Sequence, residues 1–515
     1  MNQYIKRKLG FAYSLLFLVS VTYAQRVTTY TSHDGAFWQK GQTVMQNKAA
    51  AEPVIAVDGT EQGVAFKAWG TCFNELDWDA LNLLDRRTQE QVMSRLFDPQ
   101  GDIKFTRGRL TMNANDYSRA WYSCSEVSGD LENKYFNIEH DKQNVIGLIR
   151  SALAYNESMT FFMSPWSPPA WMKINQDYPV LSSKYNTQSP QKDYLLYADT
   201  KNTKVDADEM KLTGDRSGVF PRRLASQNYF IQDERYLQSY AEQFCKFIDL
   251  YAEQGIKIDK VMYQNEAYSY TPYPGCAWTA EGTIRFNRDY LAPALKKHHP
   301  EVELYLGTFN TNRQDYIEKI LSDKGLLQVI KGFGAQWECR QCLPELMKLY
   351  PQLHFIGTES ECGNGSMDWK AGEHTFFLIS DYLGCGCDEY YIWNFLLPDN
   401  GISSWGWTQN ALIQVDSKTR TVRYTPEFFA LKHFSNLVSP GTHIVGYSGR
   451  DKDVHVSQDS KTPVVVFRKN DGKRRTYIVT AGNFTDTERT ITVKIENKYL
   501  NMNVTAHSFN TYEVK

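Results

Sequence analysis

Short apolar segments alternate with helical segments between about residue 65 and residue 394 of this 515-residue chain. Such alternation is typical of βα units, in which a helix connects each parallel strand to the next. Eight strands are predicted, at residues 66–73, 103–112, 159–166, 258–266, 302–308, 329–337, 353–359 and 389–394. Eight parallel strands can close into a barrel, so the predicted fold class is α/β, with a (β/α)8 TIM barrel over residues 65–434.

The clearest predicted helix covers residues 236–254, directly before the fourth strand. Its apolar residues, among them Leu237, Tyr240, Phe244 and Phe247, recur at helical spacing, and Gly255 is suited to the C-terminal stop. We expect this helix to pack its apolar face on the barrel.

Three regions fall outside the barrel pattern. Residues 174–234 are rich in polar residues and are interpreted as an insertion after the third strand, on the face where active sites lie. Residues 435–515 contain short strand segments, which predict an attached all-β sandwich. Residues 25–64 are too few to fold alone, and we expect them to add strands to this sandwich.

The N-terminus has the pattern of a secretory signal peptide over residues 1–24. Lys6, Arg7 and Lys8 precede an apolar run at residues 9–21, and a cleavage is predicted between Ala24 and Gln25. The run is shorter than the roughly 20 residues of a membrane-spanning helix. The sequence therefore predicts an exported protein, periplasmic or extracellular, without a membrane span.

Two glutamates end predicted barrel strands. Glu266 ends the fourth strand and Glu359 the seventh, at the end of the barrel where this fold carries its chemistry. The two strands face each other across the barrel mouth, so the carboxylates can approach the roughly 5–5.5 Å that a retaining glycosidase requires. Asn265 is suited to donate to a sugar 2-hydroxyl. The pattern favours a sugar-cleaving enzyme with these two glutamates as its catalytic pair.

A further carboxylate leaves the choice of nucleophile open. Alternation along an extended strand would point Glu359 and Glu361 to the same side. Glu359 follows the apolar segment directly and is held more rigidly there, so we favour Glu359.

Charge and composition narrow the classes of partner. The chain has 57 basic and 59 acidic residues, which argues against a nucleic-acid or anionic-surface partner. Aromatic residues make up 14% of the chain; most are expected in the barrel core, and some loop Trp and Tyr are candidates for stacking on sugar rings. The expected partner is a carbohydrate: a β-glucan, an oligosaccharide or a glycolipid.

Nine cysteines leave at least one unpaired, and the sequence does not assign disulfides. Cys339, Cys342, Cys385 and Cys387 could be interpreted as a four-cysteine zinc site, but no histidine cluster supports it. Cys362 has no histidine placed to activate it as a nucleophile. We expect neither a metal nor another cofactor.

Residues 164–171, SPWSPPAW, resemble the signature SPW(S/T)xPxW of glycoside hydrolase family 30. The family includes glucosylceramidases and β-1,6-glucanases. The similarity covers nearly all of the mature chain and continues, in order, through Trp69-Gly70, Arg109, Asn115-Asp116, Gln264-Asn265-Glu266, Thr358-Glu359, Trp393-Asn394 and residues 405–410.

The resemblance implies a retaining β-glycosidase on a barrel with a side sandwich. It implies Glu266 as the acid/base and Glu359 as the nucleophile, with Arg109 as support for the nucleophile. The other implied site residues line a glucose-binding subsite: Asp116, Trp166, Asn265, Trp337, Trp393 and Asn410.

Three departures from the lysosomal enzyme of this family concern the substrate. Gln336 stands in place of a histidine, Glu338 stands in place of an aromatic residue, and residues 174–234 have no clear counterpart. They favour a β-glucoside or β-1,6-glucan over glucosylceramide, which stays an alternative. A β-xylosidase and a catalytically silent carbohydrate-binding barrel also stay open. A xylanase acting on acidic side chains is disfavoured, because residues 388–408 contain no Lys or Arg.

Overall fold

A closed barrel of eight parallel strands forms the centre of the protein. The computed structural model describes residues 25–57, 63–181, 184, 186, 228–404, 406–448, 460–472 and 474–515. The barrel strands, numbered one to eight in chain order, are Ala68–Cys72, Arg107–Met112, Thr160–Pro165, Ile258–Val261, Glu303–Phe309, Gly332–Gln336, His354–Glu359 and Glu389–Ile392. Strand eight pairs with strand one and closes the ring. The predicted fold class is confirmed.

Each of the first seven barrel strands is followed by at least one α-helix before the next barrel strand, and strand eight is followed by three short strands and then the helix Pro426–Ser435. The helices in the described part of the chain are Glu75–Asn82, Arg86–Phe97, Glu139–Lys142, Val145–Leu153, Glu234–Ala252, Ala280–Arg285, Ala292–His298, Gln314–Leu321, Lys324–Val329, Leu343–Leu349, Trp369–Cys385 and Pro426–Ser435. Two 3-10 turns cover Ala170–Met172 and Trp337–Cys342, and a π-helical turn covers Phe286–Leu291.

The helix Glu234–Ala252 confirms the sequence prediction to within two residues at each end. Asp233 caps its start by accepting a hydrogen bond from the backbone N–H of Arg235, and Gly255 follows its end with a φ of +78°. Its apolar stripe, including Phe244, is buried as expected. The helix thus delivers the chain to strand four.

Side chains fill the barrel interior beneath the C-terminal ends of the strands. Lys260 on strand four and Glu389 on strand eight form a buried ion pair at 2.5 Å, and these strands stand on opposite sides of the ring. Phe162, Tyr305 and Tyr391 pack in the same interior with other buried apolar residues. The interior is therefore a packed core, and this fold carries its functional groups at the C-terminal ends of the strands.

A β-sandwich adjoins the barrel. One sheet holds, in spatial order, Ala36–Val44, Arg26–His33, Ser508–Val514, Arg474–Asn483, Val464–Asp471, His443–Val445 and Val64–Ala65. The other holds Tyr447–Ser448, Ile55–Val57, Arg489–Ile495 and Lys498–Val504. A separate small sheet after strand eight holds Leu396–Pro398, Ile413–Val415 and Val422–Tyr424. Strands that precede the barrel in sequence thus pair with strands that follow it.

Aromatic stacking and a buried histidine join the sandwich to the barrel. Phe509 of the sandwich stacks on Trp369, with ring centroids 4.4 Å apart. His433, on a barrel helix, bonds to Thr511 at 2.9 Å and to Ser32 at 2.8 Å. Burial lowers the pKa of His433 to about 3, so this contact is made by a neutral ring.

Three predicted strands are corrected. Strand two begins at Arg107 rather than residue 103, because Lys104 takes a left-handed backbone, with a φ of +64°, before the ladder starts. Strand four ends at Val261 rather than Glu266, because the chain leaves the ladder and Glu266 takes a left-handed backbone, with a φ of +49°. Strand six begins at Gly332 rather than residue 329, because Asp323 caps a helix over Lys324–Val329 by accepting from the N–H of Leu326.

The predicted signal peptide, at residues 1–24, lies outside the described residues, as does most of the predicted insertion at 174–234. Within the described part of the chain, no helix combines the length and apolar character of a membrane span.

Candidate active site

Glu359 is the last residue of strand seven and is only 6% exposed. Its Oε2 accepts a hydrogen bond of 2.6 Å from Nη1 of Arg109, on strand two. Its Oε1 accepts a hydrogen bond of 3.1 Å from Nε1 of Trp337, which follows strand six. One donor on strand two and one just after strand six fix the rotamer of this carboxylate and favour its ionised form.

Arg109 links Glu359 to the neighbouring strands. It is fully buried, where a guanidinium needs charged or polar partners. Besides Glu359, it donates from Nη2 to Oδ1 of Asn265 at 2.8 Å and to Oγ of Ser164 at 3.2 Å. Its guanidinium carbon lies 4.4 Å from the ring centroid of Trp166, within the range of cation–π attraction. The predicted role of Arg109 as support for Glu359 is compatible with this geometry.

Glu266 lies on a turn beyond strand four and is 6% exposed. Its left-handed backbone costs a non-glycine residue about 1–3 kcal/mol, and such strain is held at functional sites by surrounding structure. Here the backbone N–H of Glu266 donates to the carbonyl of Thr308 at 3.0 Å. The side chain accepts from Gln336 at Oε1 (3.2 Å) and from the hydroxyl of Tyr273 at Oε2 (3.5 Å).

The surroundings of the two glutamates favour different protonation states. Burial and the nearby charge of Glu359 raise the pKa of Glu266 to about 8. Burial also raises the pKa of Glu359, but the guanidinium of Arg109 and the indole of Trp337 oppose that rise. The surroundings therefore favour one shared proton on the pair, and the positive charge beside Glu359 favours Glu266 as its holder. A protonated acid beside a carboxylate is the arrangement that glycoside hydrolysis requires.

Asn265 has its amide oxygen fixed by three donors. Oδ1 accepts from Arg109 at 2.8 Å, from the hydroxyl of Thr308 at 3.0 Å and from Gln336 at 3.2 Å. This sets the orientation of the amide and leaves its NH2 group to donate to a ligand. The geometry is compatible with the predicted contact to a sugar hydroxyl.

Four predicted subsite residues surround these groups. Asp116, in the loop after strand two, is 6% exposed, and burial together with Glu359 raises its pKa to about 7. The rings of Trp166 and Trp393 stack with centroids 5.0 Å apart. Nε1 of Trp393 is buried and has no hydrogen-bond partner among the described residues. The structure thus brings Asp116, Trp166, Trp337 and Trp393 together with Glu266 and Glu359.

Asn410, also a predicted subsite residue, bonds to the loop that follows strand seven. Its Oδ1 accepts from the backbone N–H groups of Gly365 (2.7 Å) and Met367 (3.3 Å). Its backbone N–H donates to the carbonyl of Cys362 at 2.6 Å. In this structure Asn410 supports the loop that follows strand seven.

Glu361 turns away from Glu359, contrary to the alternation expected from an extended strand. Strand seven ends at Glu359, so the alternation does not continue to Glu361. The carboxylate of Glu361 contacts His374 at 2.7 Å and Arg340 at 3.6 Å. The structure therefore leaves Glu359 as the residue that faces Glu266.

Gln336 and Tyr273 contact Glu266, and the sequence interpretation does not include them among the site residues. Gln336 was noted only as a departure from a relative, although its position at the end of strand six was a usable signal. Tyr273 lies in the loop after strand four and packs against Trp407, with ring centroids 5.8 Å apart. Its sequence context carries no signal, because the loop conformation alone brings it to Glu266.

The cysteines carry no evident chemistry. None of the nine cysteines, all of which lie in the described part of the chain, is in a disulfide, and all but Cys385 are buried. In the part of the chain that the structure describes, no group of three or more His, Cys, Asp or Glu side chains is arranged to hold a metal ion, so the four-cysteine zinc interpretation finds no support. Burial raises the pKa of Cys362 well above its ordinary value, which makes its thiol a poor nucleophile.

A family model described as the glycosyl hydrolase family 30 TIM-barrel domain matches residues 66–194 and 226–438. The match spans more than half of the chain and includes both glutamates and all the subsite residues described above.

Three known proteins are similar to this chain over most of its length. The lysosomal acid glucosylceramidase of Mus musculus is 24% identical over 399 residues, covering 72% of this chain and 67% of its own length. The structure of SrfJ from Salmonella typhimurium superposes with a TM-score of 0.78 at 20% identity, covering 95% of this chain and 99% of that one. The structure of the endo-beta1,6-glucanase BT3312 gives a TM-score of 0.71 at 19% identity, covering 95% and 98%. The two structural matches show a shared fold.

Proposed function

The chain belongs to glycosyl hydrolase family 30, whose members are glycoside hydrolases, and on this premise we propose that it is a retaining β-glycosidase that cleaves β-glucosidic linkages. The observation that carries the proposal is the pair of buried glutamates in unlike surroundings. Glu359 faces the guanidinium of Arg109, whereas Glu266 faces neutral donors and the charge of Glu359.

These surroundings suit a double displacement. In the first step, an oxygen of Glu359 attacks the anomeric carbon while Glu266 gives its proton to the leaving oxygen; the glycosidic bond breaks and the aglycone departs as an alcohol. In the second step, Glu266 takes a proton from water, and the water oxygen displaces Glu359 from the anomeric carbon. Each glutamate returns to its starting protonation state.

The surroundings of the pair support a glucosyl unit as the group transferred. The stacked rings of Trp166 and Trp393, the carboxyl group of Asp116 and the NH2 group of Asn265 offer an apolar face and several polar contacts around one point. This combination suits a sugar ring. We propose a β-glucoside or β-1,6-glucan as substrate, in line with the similarity to an endo-beta1,6-glucanase. Glucosylceramide is the second candidate, favoured by the similarity to the mouse lysosomal enzyme.

The test is hydrolysis of an aryl β-glucoside, an aryl β-xyloside, β-1,6-glucan oligosaccharides and glucosylceramide. Glu266→Gln and Glu359→Gln are expected to lower kcat/KM on the preferred substrate by roughly 10²–10⁴-fold or more, because each removes a group that the chemistry needs. Glu361→Gln is the matched control, since Glu361 faces His374 and not the site. It is expected to stay within about tenfold of wild type.

Azide rescue separates the two roles. Glu266→Ala with an activated aryl glucoside and azide should yield the β-glucosyl azide, whereas Glu359→Gly should yield the α-anomer. If wild type binds β-glucan and cleaves none of the substrates, the catalytically silent barrel replaces this proposal. If wild type cleaves only the xyloside, the β-xylosidase interpretation replaces it instead.

We also propose that the protein is exported and cleaved after Ala24, on the pattern of Lys6 to Lys8 and the apolar run that follows. N-terminal sequencing of protein recovered from the periplasm or medium should begin at Gln25. Recovery only from the cytoplasm with Met1 retained would refute export.

A further inference from the structure

Gln336 lies between the two glutamates at the end of strand six and is completely buried. Its Nε2 donates to Oε1 of Glu266 and to Oδ1 of Asn265, both at 3.2 Å. Its Oε1 accepts from the hydroxyl of Thr358, the residue before Glu359, at 3.0 Å. One side chain thus connects the turn that carries Glu266 to the strand that carries Glu359.

The orientation of this amide follows from its partners. A flipped amide would place the carbonyl oxygen of Gln336 against Oδ1 of Asn265, which Arg109 holds in place as an acceptor, with no proton between these two oxygens. It would also turn the NH2 group toward the hydroxyl of Thr358. The observed orientation gives each of these groups a complementary partner. The donor of Gln336 is therefore committed to Glu266.

We propose, resting on the retaining mechanism above, that Gln336 is a positioning residue. It fixes the side chains of Glu266 and Asn265 relative to each other and stabilises the ionised form of Glu266. The mechanism needs that form, because Glu266 must release its proton in the first step and must be a carboxylate when water attacks in the second. An amide does not titrate in this range, so the contact persists at every working pH.

Gln336 shifts the pKa of Glu266 in the opposite direction to burial and to the carboxyl groups nearby. Burial, Glu359 and Asp116 all raise the pKa of Glu266, and the hydrogen bond from Gln336 is the foremost influence that lowers it. Gln336 also lowers the pKa of Glu359. The titratable and charged groups that face the pair are Asp116 after strand two, Arg109 on strand two, Tyr273 after strand four, and Cys362 after strand seven.

Gln336→Met tests this inference, because it removes the donor while keeping a side chain of similar length. The alkaline limb of kcat/KM against pH reports the pKa at which the glutamate pair of the free enzyme loses the proton that it needs for catalysis. Loss of a hydrogen bond to a carboxylate is expected to move that limb up by about one pH unit, with kcat/KM at the optimum at least about tenfold lower. Gln336→Asn, which withdraws the NH2 group by one methylene but keeps the site polar, should move the limb in the same direction.

Gln243→Met is the matched control. Gln243 is equally buried, on the helix Glu234–Ala252, and donates to Asn133 at 2.9 Å, away from the glutamates. This variant is expected to lower the melting temperature and leave the limb in place. A limb that stays unmoved in both folded Gln336 variants overturns the inference, as does an equal shift in Gln243→Met. Failure of both Gln336 variants to fold overturns it too, since the role would then be structural.

The failure of this inference is separable from the failure of the proposed function. Wild type that hydrolyses a β-glucoside, with Glu266→Gln and Glu359→Gln inactive, upholds the function even when the Gln336 profiles match wild type. If wild type hydrolyses none of the substrates, both the proposed function and this inference fail.

Discussion

Replacing Arg109 with methionine is expected to move the acid limb of the kcat/KM profile to higher pH. Arg109 is fully buried and donates to Glu359 at 2.6 Å. A hydrogen bond to a charged partner contributes about 1.5–3 kcal/mol, and 1.36 kcal/mol corresponds to one pKa unit. The expected displacement of the limb is therefore roughly one to two pH units.

The sign of the shift follows from charge. The guanidinium of Arg109 stabilises the carboxylate of Glu359, so without it Glu359 binds a proton at higher pH. A protonated Glu359 cannot attack the anomeric carbon, and activity on the acid side falls first. Arg109→Lys keeps a positive charge without the planar fork that also reaches Asn265, so its limb should lie between those of wild type and Arg109→Met.

The assay is kcat/KM against pH on the best substrate, with thermal unfolding of each variant beside it. Arg107→Met is the matched control, because Arg107 is on the same strand and pairs with Asp259 at 2.5 Å, away from the site. It should lose stability without moving the acid limb. An unmoved limb in folded Arg109→Met, or the same shift in Arg107→Met, would refute the reasoning.

Three further changes have distinct expected results. Asn265→Ala should lower kcat/KM roughly 10²-fold or more on a glucoside but add little loss on the 2-deoxyglucoside, if its NH2 donates to the 2-hydroxyl. Tyr273→Phe should cost less than about tenfold in kcat/KM, because its hydroxyl lies 3.5 Å from Glu266 and such a long hydrogen bond is weak. Glu427→Gln should gain stability over wild type between pH 5 and pH 8. The free energy of unfolding of the variant minus that of wild type should be larger at pH 8 than at pH 5, by on the order of a few kcal/mol. Burial raises the pKa of Glu427 from 4.5 to about 8, so wild type loses stability as pH rises between these two values and the variant does not. Thermal unfolding at both pH values checks this, and equal pH dependence in the two proteins would contradict it.

The barrel and the place of Glu359 were predictable because they depend on local patterns. Strand and helix segments differ in hydrophobic periodicity, and the order of eight βα units leaves few ways to close a parallel sheet. Glu359 follows an apolar segment directly, and the structure places it at the end of strand seven. Arg109, Trp166 and Trp393 also lie beside the glutamates where the family resemblance implied.

The surroundings of the pair were less accessible from the sequence. Glu266 was predicted on a strand and lies on a strained turn, held by the carbonyl of Thr308 from the next strand. Asn410 was expected to line the sugar subsite, and the structure adds that its amide oxygen accepts from backbone N–H groups of the loop after strand seven. Both outcomes depend on backbone partners that are distant in sequence, which no local pattern encodes.

The sequence by itself determined the class of fold, the two carboxylates and the signature that places the chain in its family, because each of these depends on residue type and spacing. The family resemblance implied Glu266 as the acid, but only the tertiary structure supplied the contacts that favour the proton on one glutamate over the other. That outcome depends on Arg109, 250 residues before Glu359, meeting one carboxylate and Gln336 meeting the other. Protonation is set by charge, burial and hydrogen bonds at distances of a few ångströms, and these exist only once the barrel has closed.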